Sequence, residues 1–295
     1  MTFLPINGAE FGVVIPAYNA IRTLQRTVTS AQRAGATTVL VVDDGSTDRT
    51  AALAAELGCM VISQSNSGAA AARRVGIQTL TEPFLVLLDS DDELVDIGVR
   101  ESVRRLLEDD TAVAAQGKTI GIGHGGIEVE LRPWVSGVSI DSLLTRGHAP
   151  GPPAAFVWRA SALKLVVSDS PPAVWPRYAE DFEFVIRGAL LGPVLVHGAI
   201  SCRYQWTGGK SSASPLNSIR DAERIRLHYA EQVGMQLSSR TPAQIRSMVF
   251  MRRASSYTSG AQRLRWFGYV LLATTADPVG VGTRALKRMR ARING

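Results

Sequence analysis

Residues that could do chemistry stand in short bursts just past apolar runs. The run Phe84 to Leu88 stops at Asp89-Ser90-Asp91-Asp92-Glu93. Carboxylates this close repel one another; solvent tolerates them, and a hard cation with oxygen ligands favours them. Mg²⁺ usually takes one or two carboxylates and fills its other positions with water and phosphate oxygens. One reading is therefore a metal site for a phosphorylated substrate. The other is a solvated acidic turn that caps the next helix. This segment alone leaves both open. Two further bursts precede it: Pro16-Ala17-Tyr18-Asn19 after Phe11–Ile15, and Asp43-Asp44-Gly45-Ser46-Thr47-Asp48 after Thr38–Val42.

The elements around these bursts repeat a pattern. Asn19 reads as the N-cap of a helix carrying Ile21, Leu24, Val28 and Ala31 and stopped by Gly35. Ser46 or Thr47 reads as the cap of a helix to Leu57. Cys59–Ser63 reads as a third strand, Asn66-Ser67-Gly68 opens a helix to about Leu80, and another helix covers Val95 to Leu107. Strand and helix alternate four times, which predicts right-handed βαβ units and a mostly parallel sheet. In such a sheet all the strand ends lie along one edge, where ligands bind. Tyr18, Asp43, Asp44 and the Asp89, Asp91, Asp92 cluster then share that edge, with Asn66 and Arg73 in reach. An aromatic to stack on a base, a carboxylate to accept from a base or ribose, and an arginine with a metal to offset charge fit a nucleotide diphosphate. Each residue alone reads as rim or solvated surface; jointly they read as a site. No Gly-x-Gly-x-x-Gly follows the first strand, and Gly208-Gly209-Lys210-Ser211 lacks the spacing of a phosphate loop.

The bulk properties agree with one large α/β unit or one and a half. The chain has 295 residues, 45% hydrophobic and 20% charged, with net charge +6. Cys59 and Cys202 are far apart and read as buried, reduced thiols of a cytoplasmic protein. The opening residues lack the pattern of a signal peptide, and the apolar window Trp266 to Ala276 is too short to span a bilayer. After Asp277 come Arg284, Lys287, Arg288, Arg290 and Arg292 without an acid. Such a tail is either solvated or drawn to an anionic surface; no nucleic-acid partner is expected.

Val14-Ile15-Pro16-Ala17-Tyr18-Asn19, Val42-Asp43-Asp44-Gly45-Ser46-Thr47-Asp48, Asn66-x-Gly68 with Ala72-Arg73, and Leu88-Asp89-Ser90-Asp91-Asp92 together resemble glycosyltransferase family 2. The resemblance covers about residues 10–115 and is thinner beyond. It implies a GT-A fold: α/β, a Rossmann-like sheet flanked by helices, here with a helical C-terminal appendage. It implies an inverting enzyme that moves a sugar from a nucleotide-diphosphate sugar, a UDP-sugar foremost, to a hydroxyl of a glycan, lipid-linked or small-molecule acceptor. By this resemblance Pro16, Tyr18, Asn19, Asp44, Asn66, Gly68, Arg73, Asp89, Ser90 and Asp91 bind the donor, with Tyr18 and Asp44 at the base. Asp91 and Asp92 hold Mn²⁺ or Mg²⁺. Arg74 stands where relatives often carry asparagine.

Further along, Gly121 to Gly126 with His124 suggest a hairpin, Ile140–Leu144 a short helix, and Ala154–Trp158 a strand after the Pro150-Gly151-Pro152-Pro153 turn. His124 and His148 read as loop residues. In Tyr178-Ala179-Glu180-Asp181-Phe182, the acids suit a helix first turn. The resemblance adds that Asp181 is the catalytic base, while Glu180, Trp158 and Trp206 shape the acceptor site. Val194–His197 and Ile200–Trp206 read as two strands, with His197 capping one. The histidine that completes a metal shell in some relatives is missing near Trp206, and Lys210 could contact phosphate instead. Helices follow from Asn217, from Thr241-Pro242, over Ala261–Thr274 and over Thr283–Ile293. They divide the chain into a catalytic unit, 1–214, and a helical region, 215–295. The aromatic and basic C-terminus fits packing, a homodimer or peripheral contact at the inner face of a membrane. Two other functions remain: a sugar-1-phosphate nucleotidyltransferase, and a non-catalytic sugar-nucleotide-binding protein.

Overall fold

The computed structural model describes residues 9–123, 126–131, 137–168, 172–205, 214–255 and 263–281. His124, Trp206, Lys210 and the basic segment 283–293 lie outside these residues. The amino half runs β1 Phe11–Ala17, α1 Leu24–Arg33, β2 Thr38–Asp43, α2 Thr50–Glu56, β3 Met60–Ser63, α3 Ala69–Thr79, β4 Phe84–Leu87, β5 Glu93–Leu94 and α4 Asp96–Glu108. Then come β6 Ala114–Ile122, β7 Glu128–Leu131, α5 Ile140–Arg146, a 3₁₀ turn at Pro153–Ala155, β8 Phe156–Arg159, α6 Ala160–Val166, α7 Glu180–Leu191 and β9 Val194–Gln205. Three helices follow: α8 Pro215–Gln232, α9 Pro242–Ser255 and α10 Arg263–Ala276.

The nine strands form one sheet, in the order β3-β2-β1-β4-β8-β6-β9-β5 with β7 beside β6. The strands β3, β2, β1 and β4 are mutually parallel, as the alternation of elements predicts. Every residue of β1 and β4 is buried, which is why they read as unbroken apolar runs. β8 runs antiparallel to β4, pairing Leu85 with Trp158. Its amino end therefore lies beside the carboxyl end of β4. The segments after residue 150 reach the edge that carries Asp89 through this reversal.

Several local expectations are corrected. Asn19 does not cap α1, whose N-cap position is Thr23. Asn19 takes a left-handed φ of 51°, and its Oδ1 accepts from the Thr47 N–H at 2.8 Å. Ser46 and Thr47 do not cap α2; Asp48 Oδ1 accepts from the Thr50 N–H at its start. Ser46 Oγ instead accepts from the Asn19 N–H. The first two motifs are thus clamped to each other, a tertiary use of residues whose local chemistry suggested caps. The two strands expected over 194–206 are one strand, β9, whose pairing with β6 shifts register near Gln116–Thr119. His197 sits within it, buried against Ser102 Oγ at 2.7 Å, rather than at a strand end. Cys59 is half-buried, and only Cys202 is enclosed.

The helix α8 is not a loose appendage. Ala222, Ile225, Tyr229 and Ala230 join the same core as the sheet. At Thr241, the expected cap is present with its return bond: Thr241 Oγ1 accepts from the Gln244 N–H, and Gln244 Oε1 from the Thr241 N–H. The helix α10 exposes Phe267, Leu271 and Leu272. No described helix is long and apolar enough to cross a membrane.

Candidate active site

Three parallel strands deliver the expected side chains to one edge. Ala17 pairs with Asp43, so Tyr18 and Asp44 leave the sheet side by side, joined by the Asp44 N–H to the Ala17 carbonyl at 2.8 Å. Leu88 N–H bonds to the Val14 carbonyl, which fixes where Asp89 begins. Tyr18 is 46% exposed on this edge, an open aromatic face. Pro16 is buried in β1. Asn66 is exposed in the loop before α3, with its backbone tight against Gly45.

Asp44 is almost fully enclosed. Its Oδ1 accepts from Gln64 Nε2 and the Ser67 N–H, and Oδ2 accepts from the Gly68 N–H, each at 2.8 Å. Gly68 has φ 92°, a left-handed turn that presents its N–H to this carboxylate. Three of the roughly four acceptor positions of a carboxylate are thereby filled within the chain. Next to it, buried Asp43 leaves Oδ1 with no donor among the described residues.

Arg73 ties the two halves of the site together. Its Nη1 donates to Glu180 Oε1 at 2.7 Å, and its Nη2 bonds Asp89 Oδ1. Burial opposes its charge, but Asp89 and Glu180 more than offset that and keep it protonated. Sequence periodicity alone would leave such an arginine solvated; it is buried.

Asp181 opens α7 beside that bridge. Burial, and then Glu180, push its carboxyl up to about 6, against the pull of Arg73. Its Oδ1 accepts from the Phe182 N–H at 2.9 Å. The residue before Glu180, Ala179, holds a left-handed φ of 61°, local strain of a kind that collects at functional sites. Asp181 lines a small hollow with Leu87, Gly151, Pro153, Phe156 and Trp158. Trp158 is a core residue, 2% exposed. It stacks on Phe156 with centroids 5.7 Å apart and is among the residues that line the hollow.

The strand-end carboxylates differ in depth. Ser90 and Asp91 are partly exposed, and their carbonyls accept from Thr27 Oγ1 and Arg26 Nη2. Burial and Asp89 raise the Asp91 carboxyl. Asp92 is 0% exposed: Oδ1 accepts from the Gln205 N–H at 2.8 Å, and Oδ2 has no hydrogen-bond donor among the described residues. Burial, Asp89 and Asp91 raise it well above the usual range. Two neighbouring carboxylates, Asp91 and Asp92, are held above their usual range, and the orphaned oxygen of Asp92 suits a hard divalent cation. Among the described residues no group of three or more His, Cys, Asp or Glu side chains is placed to hold a metal ion by itself. A cation here would draw its other ligands from water and phosphate oxygens.

Residues that sequence reading missed hold the Asp181 loop in place. Glu183 is fully buried. It accepts from the N–H groups of Val174 and Trp175 and from Tyr229 Oη at 2.6, 2.9 and 2.8 Å. Asp221 accepts from the Tyr178 N–H at 3.0 Å. Tyr229 and Asp221 both come from α8. The one available signal was an acid on an apolar helix face, at Glu183. Tyr204 is also unanticipated: burial, then Asp92, Asp89 and Asp181, raise its phenol.

A parallel half-sheet closed by antiparallel strands, with acidic motifs along one edge, is the GT-A architecture. The chain belongs to glycosyl transferase family 2, whose model matches residues 12–162. It is 31% identical over 113 residues to YibD, an uncharacterized glycosyltransferase of Escherichia coli (strain K12), covering 36% of this chain and 33% of that protein. It is 35% identical over 80 residues to glycosyltransferase AglJ of Haloferax volcanii, covering 27% and 26%. These matches span a third or less of the curated relatives. The fold resembles S. aureus TarS 1-349 in complex with UDP-GlcNAc, with TM-score 0.60 and 19% identity over 92% of this chain and 82% of that one. It also resembles glucosyl-3-phosphoglycerate synthase from Mycobacterium tuberculosis in complex with Mn²⁺, UDP and glucosyl-3-phosphoglycerate, with TM-score 0.53 and 18% identity over 79% and 82%.

Proposed function

We propose that the protein is an inverting, metal-dependent glycosyltransferase that moves a sugar from a UDP-sugar to an acceptor hydroxyl in glycan or polysaccharide synthesis. The observation that carries this reading is the Asp89–Arg73–Glu180 bridge, which sets Asp181 beside the strand-end carboxylates. Tyr18 stacks on the base. A base N–H is accepted by the remaining position of Asp44 or by the unsatisfied oxygen of Asp43. Asp91 and Asp92 hold Mn²⁺ or Mg²⁺, which when bound neutralises charge on the departing diphosphate.

Asp181 acts as the base. Its Oδ1 is held by the Phe182 N–H, which leaves Oδ2 to take the proton of the acceptor hydroxyl as the oxygen attacks the anomeric carbon. A carboxyl lifted to about 6 is ionised at neutral pH yet basic enough to accept that proton. One in-line displacement inverts the anomeric centre and needs no nucleophile from the protein. The burial of Arg73 beside Asp89 and Glu180 keeps the base from being lifted further. The UDP-GlcNAc, UDP and Mn²⁺ named for the structural neighbours support the choice of donor and metal.

The test is a thermal-shift screen of nucleoside diphosphates with Mn²⁺, followed by hydrolysis and transfer assays with the matching sugar nucleotides. UDP should stabilise most and UDP-sugars should turn over. Absence of stabilisation by any nucleoside diphosphate would overturn the reading. Binding without turnover would leave a sugar-nucleotide-binding protein.

A further inference from the structure

Charge is divided unevenly along the chain. Residues 215–295 carry fourteen basic and four acidic side chains, a net of +10, while residues 1–214 carry eighteen and twenty-two, a net of −4. Hydrogen bonds and ring contacts do not cancel a formal charge, and every acid of the stretch is already in that balance. Glu223, which holds both Arg226 and Arg240, is one of the four. After Glu231 the one acid in the sequence is Asp277. An anionic surface therefore attracts the helical region and repels the unit before it.

The same region carries an exposed apolar face. The helix α10 packs on α9, with the Tyr269 and Phe250 rings stacked at 6.5 Å between centroids, and Ala273 one turn on is fully buried. On the opposite side Phe267 is 61% and Leu271 66% exposed, with Leu272 exposed on the flank. Phe267 and Leu271 are four residues apart, so one stands above the other on the helix surface. The Trp266 ring meets the Phe267 ring edge-on at 4.9 Å between centroids and is itself partly open to solvent. No charged residue occurs from Trp266 to Ala276. Arg265 just before this stretch is exposed, as are Arg246 and Arg253 on α9. These last two lie four residues before and three after Phe250, hence on its side of α9, along the seam with α10.

Charge and apolar surface together select the occupant. A second copy set face to face would bring two regions of +10 together against Coulomb repulsion. A nucleic acid would match the charge but leave Phe267 and Leu271 without an apolar partner. An anionic bilayer surface meets both, because its headgroups take the arginines and its acyl boundary takes the apolar face. Tryptophan beside that face suits the same boundary. At fourteen residues, α10 is too short to cross a bilayer and long enough to lie along one. We propose that α9 and α10 dock the protein on an anionic phospholipid surface, with Phe267, Leu271 and Leu272 at the acyl boundary and Arg246, Arg253 and Arg265 among the headgroups. This goes beyond the transferase reading and stands or falls without it.

The experiment sediments the full chain with vesicles of phosphatidylglycerol or of phosphatidylcholine. The protein should pellet with the first and not with the second, and added salt should weaken the binding. F267S/L271S should weaken it at least about tenfold, through the loss of buried carbon groups. R246Q/R253Q should also weaken it at least about tenfold, through the loss of two charges near the surface, and R246K/R253K should recover most of that. All four side chains changed are outside the core, so each pair should keep the wild-type Tm and UDP affinity. Brominated phosphatidylglycerol should quench fluorescence in the wild type and less in W266F. No pelleting with phosphatidylglycerol, equal pelleting with both lipids, or wild-type binding by F267S/L271S would overturn the proposal. So would a dimer that F267S/L271S dissolves and vesicles leave intact, which would assign the face to a second copy. Failure of UDP to bind would sink the transferase reading and leave the vesicle result standing.

Discussion

Arg73 Nη1 bonds Glu180 Oε1 at 2.7 Å across 107 residues of sequence. The same guanidinium holds Asp89. One buried cation thus joins the helix after β3, the carboxyl end of β4 and the start of α7. Removing it would leave two carboxylates facing Asp181 with no counter-charge.

Arg73→Ala should lower stability by about 3 kcal/mol or more, since breaking a buried pair strands its partners. Its rate–pH profile should move to higher pH, because Arg73 is what pulls the Asp181 carboxyl down. Arg73→Lys cannot span both partners with one ammonium and should fall between. Denaturant melts and pH–rate profiles test this; a variant with wild-type stability would remove the bridge from the argument.

Asp181 is raised to about 6 in the fold from near 4 in the unfolded chain. A raised carboxyl favours folding while protonated. Its contribution is therefore full below about pH 4 and lost as pH rises through about 6. Turnover runs the opposite way and should climb through that window. Asp181→Asn should abolish transfer with UDP binding intact. It should also be more stable than wild type at pH 7.5 but not at pH 4. Equal stability of the two at pH 7.5 would contradict the raised carboxyl.

Glu183 receives three donors with no exposure. Glu183→Gln keeps the shape but turns an acceptor oxygen into a donor, and should cost about 2–3 kcal/mol. Tyr229→Phe removes one contact and should cost about 1 kcal/mol. Both should reduce turnover more than UDP affinity, because the loop they hold leads into the first turn of α7, where Asp181 stands. Isothermal titration of UDP beside kcat makes the comparison.

A Cβ at Gly188 would come within 2.3 Å of the Trp158 ring. Gly188→Ala should destabilise by about 1–3 kcal/mol through overpacking, despite the gain in helix propensity. Gly268→Ala in α10 meets open space and should be neutral or stabilising by up to about 1 kcal/mol. Thermal melts of the pair separate packing from propensity.

At the proposed base site, Asp44 anchors three donors of the loop before α3, while Asp43 keeps an unsatisfied oxygen. Asp44→Asn should lower both Tm and UDP affinity. Asp43→Asn should lower UDP affinity with a smaller change in Tm. Unchanged UDP affinity in both variants would remove the pair from the base site.

The four βα repeats were legible because strands buried on both faces read as unbroken apolar runs, and helices carry a 3.6-residue period. The convergence of Tyr18, Asp44 and Asp89 on one edge followed from parallel topology alone. The short helix α6 and the two-residue β5 left no readable period. The single strand β9 looked like two because Gly198 interrupts its apolar run while its backbone continues beside β6. Asn19, Ser46 and Thr47 carry cap chemistry, and only three-dimensional proximity shows that they cap each other's loops.

By itself, the sequence determined which side chains reach the carboxyl edge and therefore which chemistry is available there: the alternation of strand and helix sets a common strand direction, and direction sets the edge. Only the tertiary structure decided how that chemistry is apportioned. It buried Asp92, gave Asp44 a structural duty, and put Trp158 in the lining of a hollow. It also drew α8 into the core to hold the Asp181 loop. Those outcomes depend on burial and on charges brought together from distant segments, and neither is a property of any local stretch of chain.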